Sequence, residues 1–263
     1  MFVDSHCHLD RLKLNVYDQS LDAAIEAASE NNVQAMLCVC ISDENRHQVI
    51  SIAEKYPHIC ASVGVHPCDV SEEALSAEQL ISWVAESKKV VAVGETGLDY
   101  YHSQAFVEQQ KKSFEVHLQV GAELNLPVIV HTRNAREDTI DLIREHGSEE
   151  SSGVLHCFTE SWEMAKQALD MNYYISLSGI VTFKNTHELK DIAKKIPADR
   201  LLIETDSPYL APVPFRGKPN EPKYVKYVGE YLAGLRGVSV EELAATTTEN
   251  YYRLFHGAQS FRP

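Results

Sequence analysis

Hydrophobic positions along this chain alternate between two rhythms. Eight short segments rich in Val, Ile, Leu and Tyr recur at residues 2–6, 33–40, 59–64, 90–95, 127–131, 153–156, 173–178 and 201–205. Most are continuous apolar runs, the pattern of strands covered on both faces. Between them apolar residues repeat at helical period. Leu21, Ala24, Ile25 and Ala28 fall at i, i+3, i+4 and i+7, and Phe114, His117, Leu118 and Gly121 do the same in a longer segment. Helix starts are predicted at Asn134, Asn185 and Ser239, each placing a capping side chain three residues before Glu137, Glu188 or Glu242. Strand starts lie 20 to 37 residues apart, which suits one βα unit each. Eight such units without a linker or composition break predict a single (β/α)₈ barrel over residues 1–263. An open doubly wound sheet is the runner-up, but no Gly-rich phosphate loop follows the first strand.

Composition sharpens this picture in three ways. No apolar run approaches the roughly 18–20 residues that span a bilayer, and the N-terminal residues lack the pattern of a signal peptide. A cytoplasmic protein without membrane contact, a monomer or weak oligomer, is expected. Cys7, Cys38, Cys40, Cys60, Cys68 and Cys157 include no CxxC pair, so neither a zinc ribbon nor a dithiol redox motif is indicated. They read as small buried hydrophobes, with Cys7 or Cys157 as ligand or nucleophile the alternative. A net charge of −14 argues against a long basic face for nucleic acid. It leaves room for an enzyme that holds a short strand through metals and a few arginines.

Active sites of such barrels form at the C-terminal ends of the strands. The first run ends in His6-Cys7-His8, where residues two apart share a face and Cys7 points the other way. The fourth ends at Glu95, the fifth at His131, the sixth at His156, and the eighth leads into Asp206. So many desolvated polar groups converging on one face would be costly without a partner, and a metal is the natural one. Barrel closure sets strand 8 beside strand 1, so Asp206 reaches the metal held by His6 and His8. Four imidazoles and two carboxylates exceed what one catalytic ion with an open position uses. They suit two ions roughly 3.5–4 Å apart, bridged by Glu95. Nitrogen and oxygen ligation without thiolate fits Zn²⁺, Mn²⁺, Co²⁺ or Mg²⁺ alike.

These segments together resemble the TatD family of metal-dependent deoxyribonucleases, related to the amidohydrolase superfamily. The resemblance rests on His6-x-His8, Val-Gly-Glu95-Thr-Gly-Leu-Asp-Tyr-Tyr, Pro-Val-Ile-Val-His131-Thr-Arg, His156-Cys-Phe-Thr and Glu-Thr-Asp206-Ser-Pro-Tyr-Leu, in this order. It extends from residue 2 to about residue 255. It implies one ion on His6, His8 and Asp206, another on His131 and His156, and Glu95 common to both. It further implies phosphodiester hydrolysis of DNA, trimming single strands from the 3′ end.

In such a site Asp206 is the expected general base, accepting the proton of the attacking water. His66, after the third strand, Arg133, and Arg216 and Lys218 in the loop after the eighth are candidates for holding phosphate. Asp99 is a candidate for orienting a ligand. Tyr100, Tyr101 and Tyr209 are candidates for base stacking or for packing the rim. His47, His58, His117, His146, His187 and His256 fall in helical segments and are read as structural, while His102 sits on the active-face loop. A competing function is amidohydrolase-like cleavage of a small amide, lactone or ester; a barrel that binds metal without turnover is a third.

Overall fold

The computed structural model describes residues 1–72 and 75–263. Its strands are β1 (Phe2–Cys7), β2 (Val33–Cys38), β3 (Ile59–Val63), β4 (Val90–Asp99), β5 (Val128–Arg133), β6 (Gly153–Leu155), β7 (Tyr174–Leu177) and β8 (Leu201–Ile203). The helices are α1 (Leu21–Glu30), α2 (Asp43–Lys55), α3 (Ala77–Val84), α4 (Val107–Leu124), α5 (Arg136–His146), α6 (Trp162–Asp170), α7 (His187–Lys195), α8 (Val225–Arg236) and α9 (Val240–Leu254). All eight strands are parallel neighbours in the order β1 to β8. The ring is closed between β8 and β1 by single bonds. Asp206 N donates to His6 O at 2.9 Å, His8 N to Ser207 O at 2.8 Å, and Ser5 Oγ to Ile203 O at 2.9 Å. On the outer side of that seam, buried Asp4 accepts from Thr205 N at 2.9 Å and Thr205 Oγ1 at 2.5 Å. This is a nearly closed (β/α)₈ barrel.

The continuous apolar runs divide between two layers because successive side chains of a strand point to opposite faces. Phe2, Met36, Ala61, Val128, Leu155, Ile175 and Ile203 pack outward against Ala28, Val49, Phe114, Leu118, Ile140 and Val225 of the helices. Val3, Leu37, Cys60, Ile129, Val154, Tyr174 and Leu202 fill the barrel, and Tyr251, Tyr252, Leu254 and Phe255, at the end of α9 and just after it, close its lower end. The inward parity then runs up into polar residues: Ile129 to His131, Val154 to His156, Leu202 to Glu204 and Asp206.

The register shifts in several places, and two of the shifts, in β1 and β4, bear on the site. Asp4 and Cys7 of β1 pair with Met36 and Cys38 of β2, and Val93 and Thr96 of β4 pair with Val128 and Val130 of β5. Each offset inserts one extra residue, a bulge that re-aims the following side chain. Val93 faces outward, so in regular register Glu95 would too; the bulge turns it in. Gly94, at φ 118°, supplies the conformation, and a Cβ there would lie 2.6 Å from Ile129 O.

Helix caps correct part of the sequence reading. Ser239 caps α9 by accepting from Glu242 N at 3.0 Å, as its spacing predicts. Helices α5 and α7 instead begin one residue later than expected, after Ala135 and Thr186, with no side-chain cap. Asn134 takes a left-handed φ of 55° in the turn, which withdraws it from the capping position. Among the described residues, no helix is long and apolar enough to cross a membrane.

Candidate metal centre

Glu95 stands at the centre of the upper face, 3% exposed, with its two oxygens facing two groups of imidazoles. Oε2 lies 3.3 Å from His6 Nε2 and 3.9 Å from His8 Nε2. Oε1 lies 2.8 Å from His156 Nε2, 3.2 Å from His131 Nδ1 and 3.4 Å from His66 Nε2. Asp206 Oδ1 completes the first group, 3.4 Å from His8 Nε2 and 3.7 Å from His6 Nε2. The six residues expected to ligate metal are therefore brought together, with Glu95 between the two sets. Asp206 occupies a left-handed conformation at φ 56°, strain that a non-glycine residue carries only where its surroundings impose it.

The bonds behind the rings fix which nitrogen faces the centre. His8 Nδ1 lies 3.2 Å from the Val39 carbonyl, which can only accept, so the ring proton sits there. His131 Nε2 lies 3.1 Å from Asp99 Oδ2 and His156 Nδ1 lies 3.2 Å from Glu204 Oε1. In each ring the nitrogen that faces Glu95 or Asp206 is left as a bare lone pair pointing at carboxylate oxygens. Lone pair against lone pair is repulsive unless a cation or an added proton lies between. Among the described residues, His6 Nε2 and His156 Nε2 are buried with no hydrogen-bond partner, and the rings of His6 and His156 stack 3.9 Å apart.

Electrostatics agree with a cluster made for positive charge. Burial alone would push Glu95 up, but the surrounding imidazoles, His156 first, hold its carboxyl well below the usual range. Asp206 is likewise held low against burial by the facing imidazoles, His8 first. Burial works against protonated His8, His131 and His156, yet neighbouring carboxylates, Asp206 first for His8, Asp99 for His131 and Glu95 for His156, raise all three above the ordinary imidazole value. A divalent cation can take the place of those protons, since ligation requires the neutral ring. The donor set, imidazole and carboxylate only, fits Zn²⁺, Mn²⁺, Co²⁺ or Mg²⁺.

His66 is different, although it lies within ligand distance of Glu95 and His131. Its Nδ1 accepts the Cys68 N–H at 3.1 Å, so Nε2 carries the proton. Burial pushes its pKa down to about 4, which keeps the ring neutral. It therefore presents a hydrogen-bond donor toward the centre rather than a ligand lone pair. His66, Arg11, Arg133, His102 and Tyr209 line one cavity of about 580 Å³ together with the cluster. Arg216 and Lys218 do not: both are exposed, and Arg216 lies over Phe183 at 4.4 Å.

Two supporting residues deepen the sequence reading. Asp99 reaches the site because β4 runs four residues beyond Glu95. It also accepts from Tyr101 N, His102 N and His102 Nδ1, and these bonds with His131 outweigh burial and hold its carboxyl low. Glu204, fully buried, accepts from Cys157 N at 2.7 Å as well as facing His156; sequence reasoning passed over it. The signal was available, because Glu204 and Asp206 share the inward parity of Leu202.

Comparison with known proteins assigns the frame. Residues 3–256 match the family model described as TatD related DNase. The chain is 48% identical over 254 residues, 97% of its length and 95% of the relative's, to the metal-dependent hydrolase YcfH of Escherichia coli K12. It is 35% identical over 239 residues, 89% of its length and 92% of the relative's, to the 3′-5′ ssDNA/RNA exonuclease TatD of Salmonella typhimurium. The crystal structure of YjjV, a TatD homolog from Escherichia coli K12, superposes with a TM-score of 0.88 at 30% identity, covering 97% of this chain and 98% of that one. The chain belongs to the TatD family and is a metal-dependent hydrolase.

Proposed function

We propose that this protein is a two-metal phosphodiesterase, a deoxyribonuclease trimming single-stranded DNA from the 3′ end. The whole chain acts as one catalytic barrel. The observation that carries the reading is the double-faced Glu95, with the bare nitrogen of His8 on the side of one oxygen and those of His131 and His156 on the other. His6, His8 and Asp206 would hold one divalent cation, His131 and His156 the other, and Glu95 both. Bound there, the pair would supply positive charge for a phosphoryl oxygen and a lowered pKa for water.

The chain's own residues do the rest. Asp206, at the cavity wall and held as a carboxylate, accepts the proton of the attacking water. His66 donates its Nε2–H to a phosphate oxygen, and its depressed pKa keeps that donor neutral through the physiological range. Arg133 offers its guanidinium to a neighbouring phosphate. Asp99 and Glu204 lock the tautomers of His131 and His156. The position of Arg216 and Lys218 outside the cavity favours His66 and Arg133 as the phosphate-holding pair. Support for nucleic acid as substrate comes from the relative named as an ssDNA/RNA exonuclease.

The test is cleavage of end-labelled single-stranded DNA by metal-stripped protein with Mg²⁺, Mn²⁺ or Zn²⁺ restored, beside a Glu95→Ala control. A metal-dependent ladder shortening from the 3′ end, absent in the control, is expected. No cleavage with any metal, in protein shown to hold two ions, would instead point to a small amide, lactone or ester.

A further inference from the structure

Two tyrosines left outside the core stand on opposite sides of the barrel mouth. Tyr101, 58% exposed, follows β4, and Tyr209, 49% exposed, follows β8. In a ring of eight strands ordered β1 to β8, these two are four strands apart, so their loops face each other across the mouth. Two arginines accompany the tyrosines at this mouth. Arg133, at the end of β5, lies over the Tyr101 ring at 4.9 Å, and Arg11, in the turn after β1, lines the cavity with Tyr209. Each is also tied to one half of the cluster. The Tyr209 ring lies 6.1 Å from that of His8, and Tyr101 packs edge-on to His102, which bonds Asp99 behind His131.

We propose that these two tyrosines are platforms that hold a single-stranded oligonucleotide across the mouth, one on each side of the phosphate placed over Glu95, with Arg133 and Arg11 contacting its phosphates. The inference rests on the nuclease reading and specifies how its substrate is gripped. A net charge of −14 disfavours holding a polyanion on an extended basic face and favours a few local contacts. Aromatic stacking is the sequence-tolerant contact that a solvent-facing tyrosine supplies. A cavity of about 580 Å³ is the size that takes a drug-sized ligand, which suits about one nucleotide and leaves the flanking bases to the rim.

The experiment measures kcat and KM of the metal-loaded protein on a labelled single-stranded oligonucleotide and on bis(p-nitrophenyl) phosphate. Tyr101→Ala and Tyr209→Ala are each expected to raise the oligonucleotide KM by about 5- to 100-fold, with a far smaller change in kcat. Tyr→Phe at either position should restore KM, because the ring and not the hydroxyl does the stacking. Phe106→Ala, at another exposed ring near the start of α4 but without the Arg133 and His102 contacts of Tyr101, should leave KM at the wild-type value. Two phosphate contacts, from Arg11 and Arg133, predict log KM rising with log salt at a slope of about 1.4, from roughly 0.7 per contact. Unchanged KM in both alanine variants, in protein that still cleaves the oligonucleotide, overturns the platforms and leaves the nuclease reading standing. An equal KM rise in the phenylalanine variants overturns stacking as the cause. Wild-type hydrolysis of bis(p-nitrophenyl) phosphate with no cleavage of any oligonucleotide overturns the nuclease reading, and this inference with it.

Discussion

What a buried histidine does in this protein is set by which of its nitrogens already has a partner. His8, His131 and His156 spend one nitrogen on a fixed acceptor and turn a lone pair to the centre; His66 spends its lone pair on Cys68 N and turns a proton there. His117 spends both, accepting from Val65 N at 3.1 Å and facing Ser113 O at 2.7 Å. Burial pushes its pKa from the ordinary 6.5 down to about 4. The unfolded chain therefore takes up this proton before the folded chain does. Stability from this group is whole above about pH 6.5 and falls as pH drops toward 4, by about 2 kcal/mol at pH 5. Denaturant titrations at pH 7 and pH 5 should show that loss shrink in His117→Gln; an unchanged difference would refute it. For catalysis, Asp206→Asn is expected to keep most of the bound metal while turnover drops about 10²- to 10⁴-fold. Metal content measured beside kcat separates that outcome from simple loss of the ions, and near-normal kcat would remove Asp206 as the base.

Among the elements, β4 does most to make the site. Its bulge turns Glu95 inward, and its extension to Asp99 brings up the carboxylate behind His131. Backbone conformation permits this only through glycine. Gly97 sits at φ 132°, and a Cβ there would meet His131 O at 2.1 Å. Gly97→Ala should cost about 1–3 kcal/mol from the backbone conformation alone and displace the end of β5. Metal stoichiometry should fall in step with stability in that variant, and full occupancy at wild-type stability would show that the strands can part without cost. The strand ends were legible in the sequence because burial on two faces writes apolar runs. The bulges were not, because an added residue in a ladder depends on the partner strand and leaves no mark in local composition. The missed caps at α5 and α7 have the same origin: Asn134 follows the turn out of β5 rather than its own preference for a capping position.

At the scale of the whole molecule, the barrel gathers Glu95, Asp99, Asp206 and four imidazoles at one end and encloses them beneath the loops. Such a cluster is stabilised by any cation that binds only the folded state. With free metal at 100 times its Kd, the gain is about 2.7 kcal/mol per site. For a chain of this size that corresponds to roughly 5–10 °C in Tm. Thermal unfolding with and without a chelator should show a drop of this order, reversed by excess Mn²⁺ or Zn²⁺. Identical Tm values in stripped and reloaded protein would count against a preformed metal centre.

Sequence alone determined the architecture and the identities of the clustered residues. Both are written locally, in two-sided burial of each strand and in the polar residue at which each apolar run stops. Tertiary structure decided the roles. It turned Glu95 inward through a bulge, assigned His66 as a donor by the Cys68 N–H, set Glu204 behind His156, and left Arg216 and Lys218 outside the cavity. Those outcomes depend on hydrogen bonds and register shifts between segments far apart in the chain, and no local pattern of side chains can encode them.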